Sequence, residues 1–314
     1  MNQAVVPTGA DGAMGTAAWT ALAAVAPISW GTTYLVTTEF LPPDRPLLSG
    51  ALRTLPAGLA VLSFTCALPR GRWWWRAAVL GLLNVGAFNG LLFVAAYRLP
   101  GGVAATVISM QPLLVAGLAM VLLGERPTGW RLGWGVAGVA GVALMVLRGG
   151  ASFDVLGVGA SVAAAVSMAT GIVLTKRWGQ PDSAGLLSFT GWQLTVGGLL
   201  LAPLAVIVEG ALPALDTAAV GGYVWLAIVG TLVAYMLWFQ GVGRLPVAAV
   251  SFLVLLSPVV ATALGWLVLG QRLTALQAVG FAVAMVSILA AQLTPQAVRG
   301  LLSSTLWTGH SATR

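Results

Sequence analysis

The amino-acid sequence predicts an all-α membrane protein with ten transmembrane helices, arranged as two inverted five-helix repeats around a central cavity. Three observations predict this fold: an apolar composition, ten separate apolar runs and a duplicated motif. Of the 314 residues, 59% are hydrophobic and only 7% are charged, and the mean hydropathy is +0.95. Soluble domains carry about 25% charged residues. The chain is therefore predicted to lie in a lipid bilayer.

The apolar runs give the helices in order. A helix needs roughly 20 apolar residues to cross the hydrocarbon core, and short connections between the runs hold nearly every charge. The predicted spans are about 17–37, 47–67, 77–97, 101–123, 132–148, 155–174, 184–208, 218–240, 246–269 and 274–293. Residues 1–16 and 294–314 are predicted to be cytoplasmic tails.

A motif near the centre of the chain recurs 146 positions later. Arg98-Leu-Pro precedes an apolar run that contains Pro112 and ends in Leu-Gly-Glu-Arg-Pro-Thr, and Arg244-Leu-Pro precedes a run that contains Pro258 and ends in Leu-Gly-Gln-Arg-Leu-Thr. Shared arginine, proline and glycine indicate an internal duplication. The first repeat is predicted over 17–148 and the second over 149–293.

Five spans per repeat make the second half enter the membrane from the opposite side. Such inverted repeats are typical of secondary transporters, which bind substrate near the midplane at the repeat interface. Loop charges favour both termini inside, because cytoplasmic loops are rich in Lys and Arg. The predicted inner side holds Arg70, Arg72, Arg76, Arg126, Arg131, Lys176, Arg177, Arg244, Arg299 and Arg314, against Arg45, Arg53, Arg98, Arg148 and Arg272 outside. The abundance of Arg, Ala and Gly indicates a GC-rich bacterial genome. The expected location of this multi-pass protein is the bacterial inner membrane.

The same composition argues against several other functions. Cys66 is the single cysteine and His310 the single histidine, so neither a disulfide framework nor a multi-histidine metal or catalytic cluster is predicted. The net charge is +7, but the charged residues lie in the connections between apolar runs and form no nucleic-acid-binding stripe. We therefore predict no enzyme, no cofactor, no metal and no nucleic-acid partner. The expected partners are the lipid bilayer and a small-molecule substrate, and the oligomeric state is left open.

Several motifs resemble the EamA family of the drug/metabolite transporter superfamily. They are Ile28-Ser-Trp-Gly-Thr-Thr-Tyr, Leu52-Arg-Thr-Leu-Pro-Ala-Gly and the two Arg-Leu-Pro…Pro…Gly-x-Arg units. Trp30-Gly-Thr-Thr-Tyr and Leu41-Pro-Pro-Asp-Arg-Pro look most like the branch named for the pigment exporter PecM. The resemblance implies a ten-helix plasma-membrane carrier that exports amino acids, related metabolites, pigments or toxic compounds.

Polar and aromatic side chains within the spans are the candidate substrate-binding residues, because polar groups in lipid are costly and face a cavity or another helix. Trp30 and Thr33 share one face of span 1, where Trp30 either grips a planar substrate or packs between helices. The remaining candidates are Asn84, Asn89, Gln111, Trp192, Tyr235, Trp238 and Ser257. In an α-helix Asn84 and Asn89 point about 140° apart, so one is expected to meet substrate and the other to join helices; which one does so is left open.

Pro112 and Pro258 remove backbone hydrogen bonds and are expected to kink spans 4 and 9, either as hinges or as packing kinks. Arg53 is the basic residue placed within a span. It is expected to pair with Glu39 or Asp44 at the outer end, or alternatively to meet an anionic substrate group.

The function predicted from these features is export of a small organic metabolite by alternating access: an amino acid or related compound, a pigment or a drug-like amine. No Asp, Glu or His lies mid-span, so a neutral, aromatic site is expected, and a proton or an exchanged metabolite is left open as the coupled partner. The alternative is a non-transporting receptor or structural protein built on a duplicated helical frame.

Overall fold

The computed structural model describes residues 15–98, 107–146, 154–182, 184–268, 270 and 274–292. These residues are helical and include no strand, which confirms the predicted all-α class. The helices are α1 (Thr16–Phe40), α2 (Pro46–Thr65), α3 (Trp73–Gly81, Leu82–Ala87 and Phe88–Arg98), α4 (Gln111–Leu123), α5 (Gly129–Val146), α6 (Val155–Trp178), α7 (Leu186–Glu209), α8 (Thr217–Ala227, Ile228–Val233 and Ala234–Arg244), α9 (Val247–Phe252, Leu253–Leu255 and Leu256–Leu267) and α10 (Ala275–Gln292).

Six helices among the described residues are long and apolar enough to cross a membrane. They are Pro46–Thr65, Trp73–Leu92, Val155–Trp178, Leu186–Glu209, Thr217–Arg244 and Ala249–Leu267, and α4 and α10 are shorter apolar helices. Residues 101–106 of predicted span 4, residues 1–14 of the first tail and the whole second tail, 294–314, lie outside the described residues. The helix of span 3 begins at Trp73 rather than 77. Arg76 thus lies within the helix, and its guanidinium carbon is 5.2 Å from the centre of the Trp73 ring.

Local sequence signals set several helix ends. Asp154 and Asp216 are N-caps, whose carboxylates accept hydrogen bonds from the Gly157 and Ala219 backbone N–H groups, each at 2.7 Å. An acidic N-cap satisfies a helix donor that would otherwise be unpaired. Gly124 ends α4 in the left-handed conformation at φ 70°, which glycine adopts without steric cost.

Helices α2 and α7 cross with reciprocal contacts. Gly58 lies so close to α7 that a Cβ there would be 2.5 Å from the Thr195 nitrogen, and a Cβ on Gly198 would be 2.6 Å from the Leu55 Cα. In the alignment of the two repeats, Gln193 stands opposite Arg53. The same alignment places Gly198 opposite Gly58 and Thr195 opposite Leu55. The two contacts are thus the same contact made in both directions, as at a two-fold interface.

Helices α5 and α10 repeat this arrangement. A Cβ on Gly141 would lie 2.7 Å from the Ala284 nitrogen, and a Cβ on Gly138 would lie 3.3 Å from the Ser287 Cβ. The 146-residue offset matches Gly138 with Ala284 and Gly141 with Ser287, so this contact is also reciprocal. The small residues allow close backbone approach, as at many helix interfaces within membranes.

Candidate functional site

The site lies where α3 and α8 depart from α-helical geometry. Leu82–Ala87 in α3 and Ile228–Val233 in α8 are π-helical, and the two segments are 146 positions apart, the offset of the sequence repeat. Single π turns inside α-helices occur frequently at functional sites. The side chains of neighbouring helices satisfy several backbone carbonyls of these segments.

In α8, the Gly230 carbonyl accepts two side-chain hydrogen bonds. Trp30 Nε1 of α1 donates to it at 3.1 Å, and Arg53 Nη2 of α2 donates at 3.0 Å. Arg53 Nε also donates to the buried Thr231 hydroxyl at 3.0 Å. One π segment of the second half therefore holds an indole and a guanidinium from the first half.

In α3, Asn84 occupies the corresponding place. Its amide nitrogen donates to Gln193 Oε1 of α7 at 2.8 Å and to the Thr175 hydroxyl of α6 at 3.2 Å. Arg53 and Gln193 hold corresponding positions in the two repeats, and so do Gly230 and Asn84. The contact between Arg53 and Gly230 therefore corresponds to the contact between Gln193 and Asn84. Gly171 of α6 completes this side, since a Cβ there would lie 2.1 Å from Asn84 Oδ1.

Aromatic rings join the two sides. The Trp30 ring lies 5.5 Å from that of Tyr235 and 5.4 Å from that of Trp238, in tilted arrangements. The Tyr235 hydroxyl donates to the Asn84 backbone carbonyl at 3.2 Å, and the phenol also interacts with the Arg53 and Asn89 side chains. Tyr235, which follows the π segment of α8, is therefore bonded to the π segment of α3.

Four buried polar atoms of the predicted residues have no hydrogen-bond partner within the described part of the chain. They are Thr33 Oγ1, Asn84 Oδ1, Gln111 Nε2 and Trp238 Nε1. Burying a polar group unpaired is costly. These four atoms therefore keep unused hydrogen-bonding capacity in the structure.

The structure brings Trp30, Asn84, Asn89, Tyr235 and Trp238 together. The expected division of roles between the two asparagines stays a prediction: the Asn84 side chain joins helices through Gln193 and Thr175, and Tyr235 contacts Asn84 at its backbone carbonyl. Asn89 also donates to its own helix, at the Val85 carbonyl.

Other candidates lie outside this cluster. Trp192 Nε1 donates to the Ala67 carbonyl at 2.7 Å and its ring packs on Trp73, so it contacts the end of α2. Ser257 is half-buried on α9, where its backbone carbonyl lies against Gly31. Gln111 is buried at the start of α4.

The proline positions coincide with irregular helix geometry. Pro112 follows a turn at residues 109–110, and Pro258 follows the 3₁₀ segment Leu253–Leu255. Pro112 lies in the first turn of α4 and Pro258 in the first turn of Leu256–Leu267, where a missing backbone N–H breaks no hydrogen bond within that helical segment. The kinks expected at both prolines therefore stay a prediction.

Sequence reasoning favoured the wrong partner for Arg53. The predicted ion pair with Glu39 or Asp44 does not form, and among the described residues the ion pair that does form joins Arg98 to Asp154 at 3.4 Å. Arg53 bonds instead to α8, which the sequence could not place beside α2. Gln193 and Thr175 were also missed as partners of Asn84. The sequence signal that could have indicated these contacts is that Arg53 and Gln193 hold corresponding positions in the two repeats.

The EamA-like transporter family model matches residues 17–147 and 155–291. The chain belongs to this family. An EamA-like chain is a membrane transporter and not an enzyme. Protein PecM of Dickeya dadantii is 47% identical over 256 residues, which cover 81% of this chain and 86% of PecM.

Two further similarities extend across most of this EamA-like chain. The uncharacterized inner membrane transporter YedA of Escherichia coli K12 is 31% identical over 280 residues, covering 83% of this chain and 88% of YedA. A solved crystal structure superposes with a TM-score of 0.77 at 22% identity, covering 90% of this chain and 98% of that one. The superposition shows that the fold is shared.

Proposed function

We propose that the chain exports a small organic metabolite across the bacterial inner membrane by alternating access. The observation that carries this proposal is the polar and aromatic cluster formed jointly by the two halves, with Trp30 and Arg53 from the first and Tyr235 and Trp238 from the second. A site between two halves can be opened to either side when one half rocks against the other.

Ten membrane-crossing helices in two inverted repeats, 17–148 and 149–293, are the architecture we propose for this carrier. The reciprocal contacts of α2 with α7 and of α5 with α10 support it, because both pairs join corresponding helices of the two halves. Five helices in each half place the second half upside down. The tails 1–16 and 294–314 then lie in the cytoplasm.

A basic cavity supports this orientation and the export direction. A volume of about 490 Å³ opens between the α4–α5 connection, the end of α6 and the α8–α9 connection, and its lining includes Arg126, Arg131, Lys176, Arg244 and Glu125. Basic groups gather on the cytoplasmic side of membrane proteins, and a charged cleft concentrates ligands of opposite charge. We place the entrance for cytoplasmic substrate here. The inner membrane location agrees with the name of YedA.

The remaining predicted residues have roles in this scheme. Asn84, Asn89, Trp30, Tyr235 and Trp238 border the substrate, and Thr33 and Gln111 supply unpaired polar atoms. We assign Trp192 and Ser257 to helix packing rather than to substrate contact. Pro112 and Pro258 mark the points at which α4 and α9 bend as access alternates.

Reconstitution into proteoliposomes tests the carrier. Vesicles preloaded with a metabolite that stabilises the purified protein should accumulate the labelled compound by counterflow, and the flux should saturate. A stabilising compound that shows no counterflow would support the alternative, a membrane receptor. Flux that is unchanged by a pH gradient and by Glu39→Gln would exclude proton coupling through Glu39.

A further inference from the structure

Arg53 is a cation held inside the helix bundle by neutral groups. It lies in the second turn of α2, and its Nε and Nη2 donate to the Thr231 hydroxyl and the Gly230 carbonyl, each at 3.0 Å. The ionisable side chain that interacts with it is the Tyr235 phenol. Charged residues within membrane spans are rare and pair with one another or mark substrate pathways.

The acidic residues near that end of the bundle have other positions or partners. The Glu209 carboxylate accepts hydrogen bonds from the Leu47 and Leu48 N–H groups at 2.6 and 2.9 Å. Asp44 precedes α2, and Glu39 is exposed at the end of α1. Throughout the described ranges, the carboxylate that does pair with an arginine is Asp154. Within the described ranges, the positive charge of Arg53 thus has no carboxylate partner.

Arg53 retains donors for a ligand. A guanidinium has five N–H donors, and the two hydrogen bonds to α8 leave three on Nη1 and Nη2. Two parallel N–H groups of a guanidinium match the two oxygens of a carboxylate. The fixed bonds to α8 also orient the group before a ligand arrives.

The groups around Arg53 suit the rest of an organic acid. Trp30 shares the Gly230 carbonyl with Arg53 and is half-buried, and its ring packs against Tyr235 and Trp238. Trp238 Nε1 is buried without a partner, as is Thr33 Oγ1, which lies about one turn after Trp30 in α1. An apolar or aromatic body with one acidic group fits this combination.

We propose that Arg53 binds the carboxylate of the transported molecule, so that the cargo is an organic acid or zwitterion rather than a drug-like amine. This inference rests on the proposed carrier function. The corresponding residue of the other repeat is the neutral Gln193, already bonded to Asn84. The site therefore holds one carboxylate, on the α2–α8 side.

Three ligands that share an indole body test the proposal: indole-3-propionate, its uncharged amide, and tryptamine. Thermal stabilisation of the purified protein should give an apparent Kd for the carboxylate at least about tenfold lower than for the amide, and tryptamine should not stabilise. Arg53→Gln should reduce the preference for carboxylate over amide to within about threefold, and Arg53→Lys should retain part of it.

Arg45→Gln is the matched control, because Arg45 precedes α2 and donates to the Ala211 carbonyl at 2.9 Å; it should leave the preference unchanged. The melting temperature without ligand shows whether each variant is folded.

Equal affinity for the three ligands, no stabilisation by the carboxylate, or a preference that persists in folded Arg53→Gln would overturn the proposal. Counterflow of a neutral or cationic compound alone would reject the carboxylate inference and keep the carrier function, whereas stabilisation by carboxylates without counterflow would reject the carrier function.

Discussion

The side-chain amide of Asn84 donates a hydrogen bond to the side-chain oxygen of Gln193 at 2.8 Å, and both residues are fully buried. The bond joins α3 of the first half to α7 of the second. Its matched counterpart joins Arg53 of α2 to the Gly230 carbonyl of α8. Polar contacts between the halves are thus made at corresponding places with different chemical groups.

A double-mutant cycle should detect coupling between Asn84 and Gln193. We expect Asn84→Ala and Gln193→Ala to be less than additive, with a coupling free energy of roughly 0.6–1.7 kcal/mol, the range for hydrogen bonds between membrane helices. Reversible unfolding in mixed detergent micelles measures it. Asn89→Ala is the control, because Asn89 donates to its own helix; equal coupling of Gln193 to both asparagines would contradict this assignment.

Gly171→Ala should destabilise the protein through Asn84. The added Cβ would lie 2.1 Å from Asn84 Oδ1, and overpacking of this kind costs typically 1–3 kcal/mol. Thermal unfolding should show the loss, and a second change, Asn84→Ser, should recover part of it by making room. A Gly171→Ala variant as stable as the parent would show that α3 and α6 are farther apart than described.

The reciprocal contact between α2 and α7 predicts similar effects at two distant positions. Gly58→Ala and Gly198→Ala each bring a methyl group within 2.6 Å of the other helix's backbone, which cannot move aside as a side chain can. Both should lower the melting temperature by similar amounts. Gly159→Ala and Gly221→Ala are controls, since no atom lies within 4 Å of their added Cβ; these two should be neutral or slightly stabilising.

Glu209 should stabilise the start of α2 from the other half of the chain. Its carboxylate accepts the Leu47 and Leu48 N–H groups, and removing such a cap costs roughly 0.5–2 kcal/mol. We expect Glu209→Ala to have the larger effect and Glu209→Gln a smaller one, since the amide retains one acceptor oxygen but loses the charge that favours a helix N-terminus. Chemical denaturation of the three proteins gives the order, and equal stability of all three would contradict the cap.

Trp30→Phe separates the two contributions of the indole. The phenyl ring keeps contact with Tyr235 and Trp238 but lacks the donor to the Gly230 carbonyl. A net hydrogen bond contributes about 0.5–1.5 kcal/mol, so thermal unfolding should show a loss of stability of about that size, while the retained ring contacts keep most of the apparent affinity for substrate. Trp30→Ala should weaken binding further. Indistinguishable affinities of all three in counterflow assays would exclude Trp30 from the site.

Much of the helical frame could be predicted from sequence because apolar runs, loop charges and the repeated Arg-Leu-Pro motif are local signals. Trp30, Tyr235 and Trp238 could be chosen for the same reason. The π segments could not be predicted, since their α-helical alternative has the same apolar pattern and the choice depends on neighbours from other helices. The partner of Arg53 could not be predicted either, because Gly230 of α8 is 177 residues away in sequence.

The different groups at the two matched contacts have a consequence for the gene. Arg53 of α2 faces Gly230 of α8, whereas Gln193 of α7 faces Asn84 of α3. Two copies of the first half would set Arg53 against an asparagine and bury two guanidinium groups, and two copies of the second would leave the Gln193 side chain opposite a glycine. We therefore expect each half to pair better with the other than with a second copy of itself, so that a gene for one half alone would not replace the whole.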